Sequence, residues 1–190
     1  NNEVRQNALG SPDWDGIDIQ FASASATIRG NLITANTGSA VDMYRSGGAN
    51  LIENNTITNN GTGGVEDAGV RVFVDGNTIQ RNIITGNAGS GIIVVNDTAG
   101  GPIPLPYDSN LISQNSIFNN GKIGIDLHIG AEDRGLGTAP YVTPNDAGDG
   151  DSGANLGQNY PVLTSATSGG GITTIVGTFN SAANTTYTVE

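Results

Sequence analysis

The sequence predicts an all-β fold, a solenoid of about five coils of parallel strands, and three observations carry that prediction. First, a pattern I-x-x-N-x-I-x-x-N recurs at Ile28…Asn36, Ile52…Asn60, Ile79…Asn87 and Ile112…Asn120, with a partial copy, Asn2…Val4…Asn7, at the start. Second, each copy is followed by a small residue and alternating apolar positions: Gly16-Ile17-Asp18-Ile19, Ala40-Val41-Asp42-Met43, Gly69-Val70-Arg71-Val72, Gly91-Ile92-Ile93-Val94 and Gly124-Ile125-Asp126-Leu127. Third, the spacing is elastic, 24 residues from Asn31 to Asn55, 27 from Asn55 to Asn82 and 33 from Asn82 to Asn115. A repeat of that size whose insertions do not disturb its frame marks a stacked architecture.

Each run is too short for a helix and alternates with period two, so none can bury its apolar side alone. Stacked about 4.8 Å apart as parallel strands, the runs bring their inward Ile, Val and Leu into one column. The Asn positions fall at the bends, where Asn tolerates left-handed backbone angles and its amide can bond to the Asn one coil away. The leucine-rich repeat has an overlapping frame, L-x-x-L-x-L-x-x-N. It is disfavoured because the apolar choices here are mostly β-branched and no segment has helical periodicity. The longest insertion, Asn96–Asp108, holds three prolines and suits an irregular loop.

The copies N-L-I-T-A-N-T-G-S-A-V (31–41), N-I-I-T-G-N-A-G-S-G-I (82–92) and N-S-I-F-N-N-G-K-I-G-I (115–125) resemble right-handed parallel β-helix repeats of the pectate-lyase-like superfamily. The resemblance covers residues 1 to about 130. It implies the fold and its hand but not an activity, because that superfamily includes lyases, hydrolases, epimerases, phage tailspikes and non-catalytic surface proteins.

Composition narrows the classes. Eighteen acids against seven bases give a net charge of −11, which argues against nucleic acid and anionic membrane as partners. With no Cys there is no disulfide framework, thiolate metal site or thiol nucleophile. No run of about 18 apolar residues is present to span a membrane. The Asn-x-Ser/Thr sequons at Asn54, Asn60, Asn96 and Asn184 are expected by chance in a chain this rich in Asn and Thr. Asn1 opens in mid-repeat and Glu190 closes in what reads as a strand, so the chain reads as a piece of something larger. The profile is that of a bacterial secreted or cell-surface protein.

In chain order, the first chemical candidate is Trp14, in the turn Ser11-Pro12-Asp13-Trp14-Asp15-Gly16. An exposed indole is a platform for a sugar ring, with Tyr44 as a second aromatic candidate. The plainer expectation is that Trp14 folds over the open end of the stack. The middle residue of each second motif points outward, which predicts a surface column Asp18, Asp42, Arg71, Ile93, Asp126 and a neighbouring column Gln20, Tyr44, Phe73, Val95, His128. If the face were catalytic, Asp18 and Asp42, one coil apart, would share Ca²⁺ against a uronate while Arg71 beside them or His128 moved a proton, with Asp126 further along the same column. Otherwise the column is an ordinary charge ladder on an exposed sheet. Ile93 and Val95 interrupt it, and the paired-Asp, Gly-His-Gly and Arg-x-Lys signatures that resemblance to polygalacturonases or pectate lyases would call for are absent.

Past Gly130 the repeat ends, giving a predicted division into a solenoid (1–140), an acidic Gly/Asp/Asn junction (141–159) and a β-hairpin (160–190). Asp146, Asp149, Asp151 and Asn155 are hard oxygen donors on a glycine-rich loop, which suits Ca²⁺, although the spacing is not that of an EF-hand. The hairpin is expected to pair 171–179 with 185–190 around a turn at 180–184, as a cap on the last coil or the start of a sandwich. The sequence thus favours a non-catalytic extracellular stalk, adhesive or assembly scaffold. The competing readings are a Ca²⁺-assisted lyase or epimerase on acidic glycans, and a filament subunit joined through coil ends or C-terminal strands.

Overall fold

The computed structural model describes residues 2–7, 14–20, 25–44, 48–62, 64, 67–96, 107–129 and 132–190. Three parallel sheets form the walls of the solenoid. Sheet 1 stacks β1 (Glu3–Arg5), β4 (Leu32–Thr34), β7 (Thr56–Thr58), β10 (Ile83–Thr85) and β13 (Ser116–Phe118). Sheet 2 stacks β2 (Ile17–Gln20), β5 (Val41–Tyr44), β8 (Val70–Phe73), β11 (Ile92–Val94) and β14 (Ile125–Leu127). Sheet 3 stacks β3 (Thr27–Arg29), β6 (Leu51–Glu53), β9 (Thr78–Gln80) and β12 (Leu111–Ser113). The chain visits the sheets in turn, and every neighbouring pair within them is parallel. The predicted all-β parallel β-helix is therefore the observed architecture.

The registers are those the repeats imply. Val4, Ile33, Ile57, Ile84 and Ile117 align across sheet 1, and Ile28, Ile52, Ile79 and Ile112 across sheet 3. With Val41, Met43, Val70, Val72, Ile92 and Val94 they form one core, in which the middle coils are wholly buried. Gly69 and Gly91 precede the sheet 2 strands because a Cβ there would meet the carbonyl oxygen of the next coil and the Cγ2 of an Ile, all at 2.5–2.6 Å.

The corners are held by asparagine ladders. In one, the backbone N–H and the Nδ2 of Asn55 both donate to Oδ1 of Asn82, at 2.9 and 3.0 Å, and Asn82 repeats this onto Asn115. The second runs Asn36, Asn60, Asn87, Asn120 in the same way, and Asn7 joins it through its backbone N–H alone, its Nδ2 donating to the Gly16 carbonyl. Nδ2 of these residues also donates to an Ile carbonyl of the preceding coil, as from Asn82 to Ile52 and from Asn87 to Ile57. A third ladder, Asn50, Asn77, Asn110, guards the corner before sheet 3. Its separations of 27 and 33 residues match those of the other two, and that shared spacing is the sequence signal for it.

The left-handed backbone is not on the ladder asparagines of the repeats, up to Asn120, contrary to expectation. It falls on the residue before each: Gly30, Asn54, Arg81 and Gln114; Gln6, Ala35, Asn59, Gly86 and Asn119; Ala49, Gly76 and Ser109. These positions tolerate varied side chains because they point away from the stack, whereas the following residue must both donate and accept along the axis. Asn is selected for its amide, not for its backbone freedom.

The C-terminal end of the stack is covered by the junction. The Ala154 N–H donates to the carbonyl of His128 at 2.9 Å, and Ala154 is buried in the main core. Residues 162–178 form an antiparallel hairpin of β15 (Val162–Gly169) and β16 (Ile172–Thr178), exposed throughout. The expected pairing of 171–179 with 185–190 is thus corrected. Gly170 and Gly171 both have positive φ, 60° and 80°, which is what a two-residue hairpin turn of the right twist requires. The Ser and Thr residues of β15 mask its alternation in the sequence. The hairpin is not the cap, and 185–190 is not a strand. Instead the Glu190 carboxylate accepts hydrogen bonds from Ser113 Oγ and the Gln114 N–H at the last coil.

Candidate functional site

The outward column of sheet 2 assembles in the predicted register, Asp18 beside Asp42, Asp42 beside Arg71, Arg71 beside Ile93, and Ile93 beside Asp126. Its environment differs from expectation. Asp18 is exposed, but Asp42, Arg71, Ile93 and Asp126 are buried, and so are Phe73, Val95 and His128 of the neighbouring column. The face is not an open surface. Ala68, Phe73, Ile93, Val95 and Tyr107 form a second apolar cluster outside the sheet, with Tyr44 packed against it. The period-two pattern puts these side chains outward correctly, but segments outside the repeat then cover them. Ile93 and Val95, which interrupt the charge column, are the floor of that cluster.

Within this cover, Arg71 and Asp42 form a bidentate pair across adjacent coils, with N···O distances of 3.1 and 2.9 Å. The guanidinium also lies 5.0 Å from the Phe73 ring centroid. This pairing occupies both carboxylate oxygens of Asp42, which the sequence pairs with Asp18 around a cation. Tyr44 meets Phe73 edge to face at 5.2 Å and is half-buried, so it is a packing residue before it is a platform. Trp14 is 60% exposed, and its carbonyl accepts from the Gly38 N–H. Ser11–Asp13 of its turn, and most of the 96–108 loop, lie outside the described residues.

At the last coil, Asp126 and His128 share one side of β14 and its extension, with Oδ2 and Nε2 3.7 Å apart. Glu132, which the sequence reading passed over, brings a third ligand atom to within 4.8 Å of these. The turn above is tied down by Lys122, whose Nζ donates to the Leu136 carbonyl at 2.6 Å and sits 5.0 Å from the Tyr141 ring. Burial pushes the Lys122 ammonium below its ordinary pKa, against the opposing pull of Asp67, Asp133 and Asp126.

The acidic junction brings Asp146, Asp149 and Asp151 together, with one oxygen of each within 4.8 Å of the others. Burial, followed by the charges of Asp146 and Asp149, pushes the Asp151 carboxyl above its ordinary value. Asp149 accepts from the Asn159 N–H at 2.7 Å and from Ser181 Oγ, which ties the loop to the base of the hairpin. Asn155 does not join this cluster. Its Oδ1 accepts from the Asn110 N–H and its Nδ2 donates to the Asn110 carbonyl, at 3.1 and 2.8 Å, so it closes the third ladder. The amide serving the acidic loop is Asn159, whose Oδ1 accepts from the Asp146 N–H.

A groove lined by Asn2, Asn31, Leu32, Asn54 and Thr56 lies at the corner between sheets 3 and 1, away from the predicted column. Among the described residues no helix is long and apolar enough to cross a membrane. The family model described as a right handed beta helix region matches residues 1–145, and no solved structure matches the chain.

Proposed function

Because the chain belongs to the right-handed β-helix family, we propose that it is a non-catalytic, rigid scaffold module of a secreted or cell-surface bacterial protein. One observation supports this above the others: the outward face of sheet 2, where a catalytic groove would lie, is closed over Asp42, Arg71, Asp126 and His128. An enzyme on a polymer needs its acid, base and cation site open to a strand of substrate. Here Asp42 and Arg71 are spent on each other, and Asp126 and His128 are enclosed at the last coil. The asparagine ladders point the same way, since they tie each coil to the next along the axis on which a stalk would carry load.

Ca²⁺ binding at Asp146, Asp149 and Asp151 fits the same role. Three carboxylates drawn together, one of them raised in pKa by burial and then by its neighbours, are a hard oxygen site for which Ca²⁺ is the matching cation. Ca²⁺ would brace the joint between the last coil and the hairpin. A second reading, glycan adhesion, is favoured by the exposure of Trp14. Self-assembly through the last coil is disfavoured, because Ala154 and Asn155 already occupy the hydrogen-bonding positions there.

The test is size-exclusion chromatography of acidic and neutral polysaccharides after incubation with the protein and Ca²⁺, with uronate composition followed by NMR. Unchanged length and composition are expected. Shortening or epimerisation of a polymer, lost in the exposed-site variant Asp18→Asn, would overturn the scaffold reading. Intact polymer that co-elutes with the protein and is released by Trp14→Ala would establish adhesion.

A further inference from the structure

We infer that Asp126, His128 and Glu132 form a binding site for a first-row divalent transition metal ion, represented by Zn²⁺, at the C-terminal end of the β-helix. The observation that carries this is a pair of buried polar side chains without hydrogen bonds among the described residues. His128 is 0% and Asp126 1% exposed, yet among the described residues neither ring nitrogen of His128 and neither carboxylate oxygen of Asp126 has a hydrogen-bond partner. Four polar atoms in that condition are costly, since each forfeits its hydration without replacement. Their mutual contact does not resolve the cost. At 3.7 Å, Asp126 Oδ2 and His128 Nε2 are too far apart to share a proton well. That separation suits two ligands of one ion, because bonds of about 2.0–2.2 Å place neighbouring ligand atoms roughly 3–4 Å apart.

Glu132 supplies the third donor. Its Oε2 accepts from the Thr138 N–H at 3.3 Å, a contact that orients the carboxylate as an outer hydrogen bond orients a metal ligand. The chamber is closed by the turn that follows. A Cβ on Gly137 would lie 2.2 Å from Asp126 Oδ2, so only glycine lets the backbone pass directly over the carboxylate. Asp133 fixes that turn by accepting from the N–H groups of Gly135 and Leu136 at 3.0 and 2.7 Å.

The donor set selects the ion class. One imidazole nitrogen with two carboxylates suits a borderline cation such as Zn²⁺, whereas Ca²⁺ takes oxygen alone. This separates the site from the Asp146–Asp151 cluster, which has no imidazole. Enclosure assigns it a structural role, clamping the segment after β14 onto the last coil.

The experiment uses the full chain, stripped of metal and held in excess Ca²⁺ to saturate any oxygen-only site. Zn²⁺ binding is followed by calorimetry and Co²⁺ binding by visible absorption. One equivalent should bind, raise the melting temperature and, as Co²⁺, give the intense d–d bands of a low-coordinate site with a nitrogen ligand. Glu132→Gln, on the half-buried segment and near-isosteric, should weaken binding by at least roughly tenfold, since even outer-shell losses cost about 10–100-fold. His128→Gln should do the same, and circular dichroism establishes that each variant is folded. The proposal is overturned if neither ion binds, if Glu132→Gln leaves affinity unchanged, or if Asp146→Asn with Asp149→Asn abolishes binding instead. A crystal soaked in Zn²⁺ that holds only water between Asp126 and His128 would also overturn it.

Discussion

Arg71 donates from Nε and Nη2 to the two carboxylate oxygens of Asp42 on the neighbouring coil, and both side chains are at least 95% buried. The residues are direct register partners of β5 and β8, so the contact is set by the stacking itself. Such a pair specifies alignment more than it adds net stability, because desolvating two charges offsets most of their attraction.

That asymmetry gives the first prediction. Asp42→Ala takes both carboxylate oxygens away from a buried guanidinium and should cost about 3–5 kcal/mol in denaturant unfolding. The double variant Asp42→Leu with Arg71→Met removes both charges and should return to within about 1 kcal/mol of the parent. A double variant as unstable as Asp42→Ala would show that the pair is worth more than its desolvation.

The ladders predict a second outcome. Asn87 accepts from the N–H and Nδ2 of Asn60 and donates to Asn120 and to the Ile57 carbonyl. Asn87→Ala strands these buried groups and should destabilise by about 2 kcal/mol or more, from the cost of a buried unsatisfied group. Asn87→Asp should fare little better, because a carboxylate cannot donate to Ile57. A change below about 0.5 kcal/mol, the range of ordinary surface substitutions, would remove the ladder from the account of stability.

The acidic junction carries a pH dependence whose sign follows from Asp151. Its pKa is raised above the ordinary 3.8, so the folded chain holds that proton more tightly than the unfolded chain does. Without Ca²⁺, stability should therefore fall as pH rises from 3.8 through the folded-state value, and the loss should be absent in Asp151→Asn. Saturating Ca²⁺ should cancel the loss, and Asp149→Ala with Asp151→Ala should erase the response to the ion. Equal melting temperatures in chelator and in Ca²⁺ would exclude calcium from this loop.

Glu190 offers a gentler test at the end of one corner ladder. In earlier coils the left-handed corner N–H donates to the next coil, as Arg81 does to the Ser113 carbonyl, whereas Gln114 donates to the Glu190 carboxylate. The Gln114 hydrogen bond, followed by that from Ser113, holds the Glu190 carboxyl below its ordinary pKa. Protection of the Gln114 amide in hydrogen exchange should be present above the unfolded-state pKa, fade as pH falls through the folded one, and weaken in Glu190→Gln. A protection factor indifferent to both changes would detach the tail from the last coil.

Much of this molecule is legible from local chemistry. Period-two runs of Ile and Val that cannot bury themselves, and Asn recurring with one elastic spacing, determine a parallel stack, its registers and two of its ladders. The third ladder was equally legible in Asn50, Asn77 and Asn110, but it lies outside the I-x-x-N frame that draws the eye. Alternation states which side of a strand a residue takes. It does not state what lies beyond that side, so Asp42, Arg71, Asp126 and His128 were correctly turned outward and wrongly left in solvent. Their burial is decided by Tyr107 and by the turn through Gly137, which belong to no repeat and whose path no period records. The same limit governs Asn155, Asn159 and Glu132. Each takes its partner from tertiary contacts among irregular segments, and only the folded chain decides which amide closes a ladder, which serves the acidic loop and which carboxylate faces His128.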